Sequence, residues 1–162
     1  MTEAVSASTT VDVPAEAVFA VLADPAKHPA VDGTGWVREA VDREPLTHAG
    51  QLFEMAMHHD NHPTGDYRMV NRVQVFEAPH AIAWEPGQDR TGDGTVSFGG
   101  WVWRYDLEPA GASGTRVTLT YDWSAVPAAL REYIRFPPFA PDHLDNSLRH
   151  LAELAVAVSR AM

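Results

Sequence analysis

The chain has 162 residues, no cysteine, and twelve basic against twenty-two acidic side chains, for a formal charge of −10. A chain near 150 residues removes roughly 70% of its unfolded surface from water, so one domain spanning residues 1–162, with a sizeable core, is expected. The missing cysteine excludes thiol catalysis, iron–sulfur clusters, Cys-ligated zinc and disulfides, and the acidic balance argues against a nucleic-acid groove or an anionic membrane surface.

The segment Met1-Thr-Glu-Ala-Val-Ser has neither a basic region nor a continuous apolar run, so no secretory signal is expected. No stretch reaches the ~18 apolar residues of a membrane span, and the cytoplasm is the default location. Val5, Ala7, Thr9, Val11 and Val13 alternate with Ser6, Ser8, Thr10 and Asp12, the period of a half-buried strand. Pro14 ends it and suits the first turn of a short helix reaching about Leu22, with Val18, Phe19 and Leu22 on its apolar side. Asp24-Pro25 starts a second short helix or turn that closes near Asp32-Gly33-Thr34-Gly35.

From Trp36 onward the pattern predicts antiparallel strands at about 36–43, 51–59, 66–76, 80–85, 97–108 and 115–124. Their separators carry turn chemistry, as in His48-Ala-Gly50, Glu77-Ala-Pro79 and Pro109 through Gly114. Pro127 to Arg135 predicts a short helix, broken by Phe136-Pro-Pro-Phe139. Leu144, Leu148, Leu151, Ala155 and Val158 then form one stripe of a long helix, with Pro141 in its first turn. The fold class is α+β: seven strands in a curved antiparallel sheet wrapped around a long C-terminal helix, with two short helices after the first strand.

Strand parity assigns the inner faces. Phe53, Met55, Met57 and His59 share one side; Tyr67, Met69, Asn71, Val73 and Val75 another. Trp101, Trp103, Tyr105 and Leu107 form the third set, and Val117, Leu119, Tyr121 and Trp123 the fourth. A bulge would invert any of these halves. Large apolar side chains with sparse polar tips suit a cavity for a small hydrophobic ligand. The candidate ligand contacts are Phe53, Met55, Met57, Met69, Trp101, Trp103, Tyr105, Leu119, Tyr121 and Trp123, with Leu144, Leu148 and Leu151 from the helix.

His58, His59 and His62 invite a metal reading, but neighbours on a strand point to opposite faces and His62 falls in a turn, so no metal and no cofactor are expected. His143 and His150 sit on one flank of the long helix, about 100–120° from the leucine stripe, and are expected at the sheet edge or in solvent. Gly99-Gly100 within a strand marks a bulge or a close approach.

Several segments resemble the START-related superfamily, the helix-grip (SRPBCC, birch-pollen-allergen-like) fold, and most of all the bacterial polyketide cyclase/dehydrase family. They are Val11-Asp-Val-Pro14, Val18 to Asp24, Lys27-His28-Pro29, Asn71 to Pro79, Ala81-Ile-Ala-Trp84 and Gly114 to Thr120. The position before Gly33 is often Trp in relatives, and Ala30-Val31-Asp32 stands there in this chain. Such folds host lipid transfer, hormone sensing, ring closure and chaperone activation, so the resemblance leaves three functions open. The first is binding of an aromatic or polyketide-like molecule between sheet and helix. The second is a cyclase or dehydratase in which His59 acts as acid or base and Tyr67, Asn71 and Tyr105 position carbonyl oxygens. The third is a protein-interaction module. The expected partner is a small hydrophobic ligand, with no nucleic acid and no membrane, and free strand edges leave room for a homodimer.

Overall fold

Strand β1 (Ala4–Val11) carries the polar–apolar alternation of the sequence and pairs antiparallel with β8 (Gly114–Asp122), so that Ser8 lies opposite Thr118. In the computed structural model, which describes residues 3–60, 65–89 and 91–162, this pair opens one continuous antiparallel sheet. The other strands are β2 (Val37–Ala40), β3 (Leu52–His58), β4 (Asp66–Glu77), β5 (Ala81–Gln88), β6 (Ser97–Phe98) and β7 (Val102–Ala110). The order is β1-β8-β7-β5-β4-β3-β2, a seven-stranded path, with the two-residue β6 pairing β5 off that path.

Helix α1 (Ala15–Leu22) starts after Pro14, a 3₁₀ turn at Pro25–Lys27 is capped by the Asp24 carboxylate on Ala26 N–H, and α2 (His28–Val31) follows. Helix α3 (Ala128–Arg131) is shorter than the 127–135 expected from sequence, and α4 (His143–Ala161) is the long helix inside the curl.

Two departures from simple alternation shape the sheet. The register of β4 against β5 shifts between Val73 and Val75, so Gln74 is the extra residue of a bulge. Beyond it Phe76, not Val75, turns inward and meets Phe19 of α1 edge-on at 5.3 Å. The strand expected over 97–108 is also broken: Ser97–Phe98 pair with β5, and β7 begins only at Val102. Gly100 makes the break possible, since its φ is +95° and a Cβ there would stand 2.6 Å from the Ala125 carbonyl oxygen.

One end of the molecule is aliphatic and closed. Val18, Val21 and Leu22 of α1, Ile82 of β5, Val117 of β8 and Leu151 and Ala155 of α4 are all fully buried there. At roughly 1.5–3 kcal/mol for each buried large aliphatic side chain, this layer is a principal source of stability.

Candidate functional site

The antiparallel register brings aromatic residues from distant parts of the chain to the opposite, open end. Trp103 of β7 lies across from Tyr121 of β8 and from Trp84 of β5, and Tyr67 of β4 across from Met57 of β3. Trp103 and Tyr121 have ring centroids 4.5 Å apart, and Trp123 stands 5.8 Å from Tyr121. Phe139, from the connection between α3 and α4, stacks on Trp103 at 5.6 Å and meets Tyr121 edge-on at 5.0 Å. Trp101 faces Phe136 at 6.1 Å.

His143 closes this group from the first residue of α4. Its ring is 4.7 Å from Phe139 and 5.5 Å from Trp103, it is only 6% exposed, and its Nδ1 has no hydrogen-bond partner. Burial lowers its pKa, against the opposing pull of the Asp32 and Asp142 carboxylates. The surface expectation for this residue is therefore corrected. Trp103 of the sheet, Phe139 and the loop at Gly33 together cover His143, and with Ser147 also buried the covered arc of α4 is wider than one leucine row. His150, also expected in solvent or at the sheet edge, is half-buried, and its Nδ1 pairs with the Asp32 carbonyl at 3.1 Å.

The loop after α2 docks on this part of α4. A Cβ on Gly33 would lie 2.6 Å from the His143 carbonyl oxygen and 2.8 Å from its Nδ1, so only glycine fits there. The Asp32 carboxylate is held by Thr34 N–H and O–H and by Val37 N–H, at 2.9–3.2 Å. From there its charge bears on His143, Tyr67 and Tyr105. Burial pushes the Tyr105 hydroxyl up to about 12, with Ser147 beside it pulling the other way. Burial also raises Tyr121 and, with Asp32, Tyr67.

Among the described residues, clefts at this end include the following two. The larger, about 390 Å³, lies between Thr34–Arg38 and His58–Asp60. The smaller, about 210 Å³, lies between Met69, the ends of β5 and β6, Trp101 and α3.

Of the residues read from sequence as a catalytic set, His59, Tyr67 and Asn71 do not share one centre. His59 lines the larger cleft and meets Trp36 at 4.6 Å, and Tyr67 is half-buried nearby on β4. Asn71 lies opposite Phe53, buried, with its amide N–H directed at the Phe53 carbonyl at 3.5 Å. His59 lies opposite Gly65, six residues further along β4, so roughly 20 Å of strand separates the two.

The expected ligand contacts also divide. Phe53, Met55, Leu119, Leu148 and Leu151 are fully buried members of the core, and Leu144 and Tyr105 are nearly so. Met57 is half-buried at the core margin, whereas Met69 and Trp101 line the smaller cleft. Trp103, Tyr121 and Trp123 stand in the aromatic cluster. Sequence reading gave no site role to Trp84, which stacks on His28 at 4.9 Å beneath that cluster, or to Asp32, and placed His143 away from the pocket. The legible signal was polar His143 and Ser147 at helical spacing beside the leucine stripe. Outside the cluster, His58 pairs with Asp66 at 2.9 Å and Asp60 at 3.2 Å, which raises its pKa. Among the described residues no three His, Asp or Glu side chains are placed to hold a metal, and His62 lies outside those residues.

A curled antiparallel sheet gripping one long helix, with an aromatic mouth at the helix N-terminus, defines a helix-grip domain. The chain belongs to the polyketide cyclase/dehydrase and lipid transport family, whose profile matches residues 2–156. It is 30% identical over 132 residues to an uncharacterized protein of Mycobacterium tuberculosis, Rv0088, covering 82% of this chain and 52% of that protein. The chain thus spans about half the length of the curated relatives it matches. In fold it is similar to a protein from Arthrobacter aurescens solved by NMR, with a TM-score of 0.66 at 15% identity over 96% of this chain and 87% of that one. It is likewise similar to a norcoclaurine synthase point mutant from Thalictrum solved with a transition-state analogue, with a TM-score of 0.64 at 12% identity over 95% and 94% of the two chains. Among the described residues no helix is long and apolar enough to cross a membrane.

Proposed function

We propose that the protein binds a small, neutral, mainly apolar aromatic molecule at the open end of the sheet, against Trp103 and Tyr121. The observation that carries this reading is the aromatic cluster around His143, whose Nδ1 is buried without a partner. A buried polar atom left unpaired is costly, and sites for small molecules combine apolar walls with a few such atoms. Neutrality follows from the charges at this end. The Asp32 and Asp142 carboxylates bear on His143, on a chain of net charge −10, which disfavours a carboxylate ligand.

Calorimetric titration with 2-naphthol, and with its anionic counterpart 2-naphthoate, tests the reading. Saturable one-to-one binding of 2-naphthol, at least tenfold weaker for 2-naphthoate and lost in Trp103→Ala, is expected. Equal binding of both probes by wild type and Trp103→Ala would falsify it.

A cyclase or dehydratase reading has one observation in its favour: His59 lines the larger cleft beside Trp36, within reach of a carbonyl compound bound there. Under it, His59→Ala abolishes turnover of a poly-β-ketone substrate with binding retained. Asn71→Ala leaves turnover intact, because Asn71 lies too far along the sheet.

A further inference from the structure

The connection between α3 and α4 is fastened at both ends, with Tyr133 and Ile134 N–H donating to the Leu130 carbonyl, and its middle, residues 135–139, is anchored by rings. At its start the Arg131 guanidinium donates to the carbonyls of Trp123 at 2.8 Å and Val126 at 3.1 Å, and pairs with Glu3 at 3.3 Å. At its far end His143 N–H donates to the Ala140 carbonyl as α4 begins. Among the described residues, 135–139 make no hydrogen bond to the sheet, and Phe136 and Phe139 are their aromatic anchors. Tyr133 is 85% exposed and Ile134 37%. A segment with few backbone hydrogen bonds and a small buried contact opens more readily than the strands beneath it.

Phe139 fills the position that a planar ligand would take. Its ring lies nearly parallel to the Trp103 indole, at 29°, edge-on to Tyr121 and beside the His143 imidazole. A phenyl ring suits these walls but brings no polar atom to the Tyr121 hydroxyl or the Trp103 indole N–H, whereas an aromatic ring bearing a hydroxyl suits the walls and can pair with either. We propose that Phe139 is an internal stand-in for the ligand's ring, and that residues 132–140 form a gate hinged at Arg131 and at the start of α4. The subsite beneath it takes a neutral aromatic alcohol that displaces Phe139. This rests on the reading that ligand binds at the open end.

The test is titration of 2-naphthol into wild type, Phe139→Ala and Trp103→Ala, with folding checked by thermal melts, together with amide hydrogen exchange on the wild-type protein. Phe139→Ala is expected to bind at least tenfold more tightly than wild type, because no ring has to be expelled. Adding 2-naphthol to wild type is expected to speed exchange of the hydrogen-bonded Tyr133 and Ile134 amides at least fivefold. Unchanged or weaker binding by Phe139→Ala overturns the gate, as does slower exchange with ligand present; if Trp103→Ala still loses binding, the open-end site stands without a gate. Should Phe139→Ala fail to fold, the wild-type exchange result decides alone. Binding unaffected by Trp103→Ala, or no binding to wild type and Phe139→Ala alike, overturns both the gate and the site.

Discussion

The two ends of the sheet are built from different chemistry on the same strands. At the closed end, β5, β8, α1 and α4 contribute Ile82, Val117, Val18 and Leu151, aliphatic side chains with no polar atom to satisfy. At the open end the same β8 carries Tyr121 and Trp123, β7 carries Trp101 and Trp103, and α4 carries His143 and Ser147. The difference teaches that one end is packed to hold the fold and the other to meet something outside it. Aliphatic packing is complete in itself. Polar-tipped rings and an unpaired imidazole are not.

The sharpest way to break this contrast is at Leu151, fully buried under the curl of the sheet. Leu151→Ala is expected to cost about 2–5 kcal/mol in urea unfolding, and a loss under about 1 kcal/mol would mean the closed end carries little of the stability. Next comes Gly33→Ala, whose new methyl meets backbone at 2.6 Å. A loss of about 1–3 kcal/mol is expected, with weaker 2-naphthol binding as the loop is pushed from α4; unchanged stability would show that the loop yields.

The third test uses pH. His28 and His143 both have folded-state pKa values lowered first by burial. Each takes up a proton more readily unfolded than folded, so stability is full above the unfolded value near 6.5 and is lost as pH falls through the lowered folded values. His58, half-buried and with its pKa raised by Asp66 and Asp60, has the opposite sign. Melting temperature is expected to fall from pH 7.5 to pH 5, with a shallower slope in His143→Asn; identical slopes in variant and wild type would remove His143 from the account. The smallest effect is expected from Tyr133→Ser on the exposed connection, within about 0.5 kcal/mol of wild type.

The order of elements was legible because each carries its period in the chain. Inner faces were readable in β3, β7 and β8, where Phe53, Met55, Tyr105, Leu107, Val117 and Leu119 alternate without interruption and are buried as parity predicts. Parity failed at Gln74, where one added residue exchanged Val75 for Phe76, whereas Gly99-Gly100, read as a bulge or a close approach, is where the chain leaves the sheet and Gly100 meets the Ala125 carbonyl. His143 was misplaced for a different reason. A helical wheel shows angles but not what packs over them, and here Phe139 and the loop at Gly33 help cover a position the leucine stripe does not mark. Alternation also cannot tell a residue that lines a space from one that fills it, which is why Leu119 and Trp103 looked equivalent and are not.

The pairing of β1 with β8 has a consequence for biosynthesis. The Ser8 and Thr118 hydroxyls meet at 3.0 Å although 110 residues separate them in the chain. At bacterial and eukaryotic translation speeds of about 5–20 residues per second, β1 leaves the ribosome on the order of 5–20 s before its partner exists. Its alternating serines and threonines keep one face wettable during that wait. The last strand to be made is the one that fastens the first, so the sheet cannot be completed while the chain is still short.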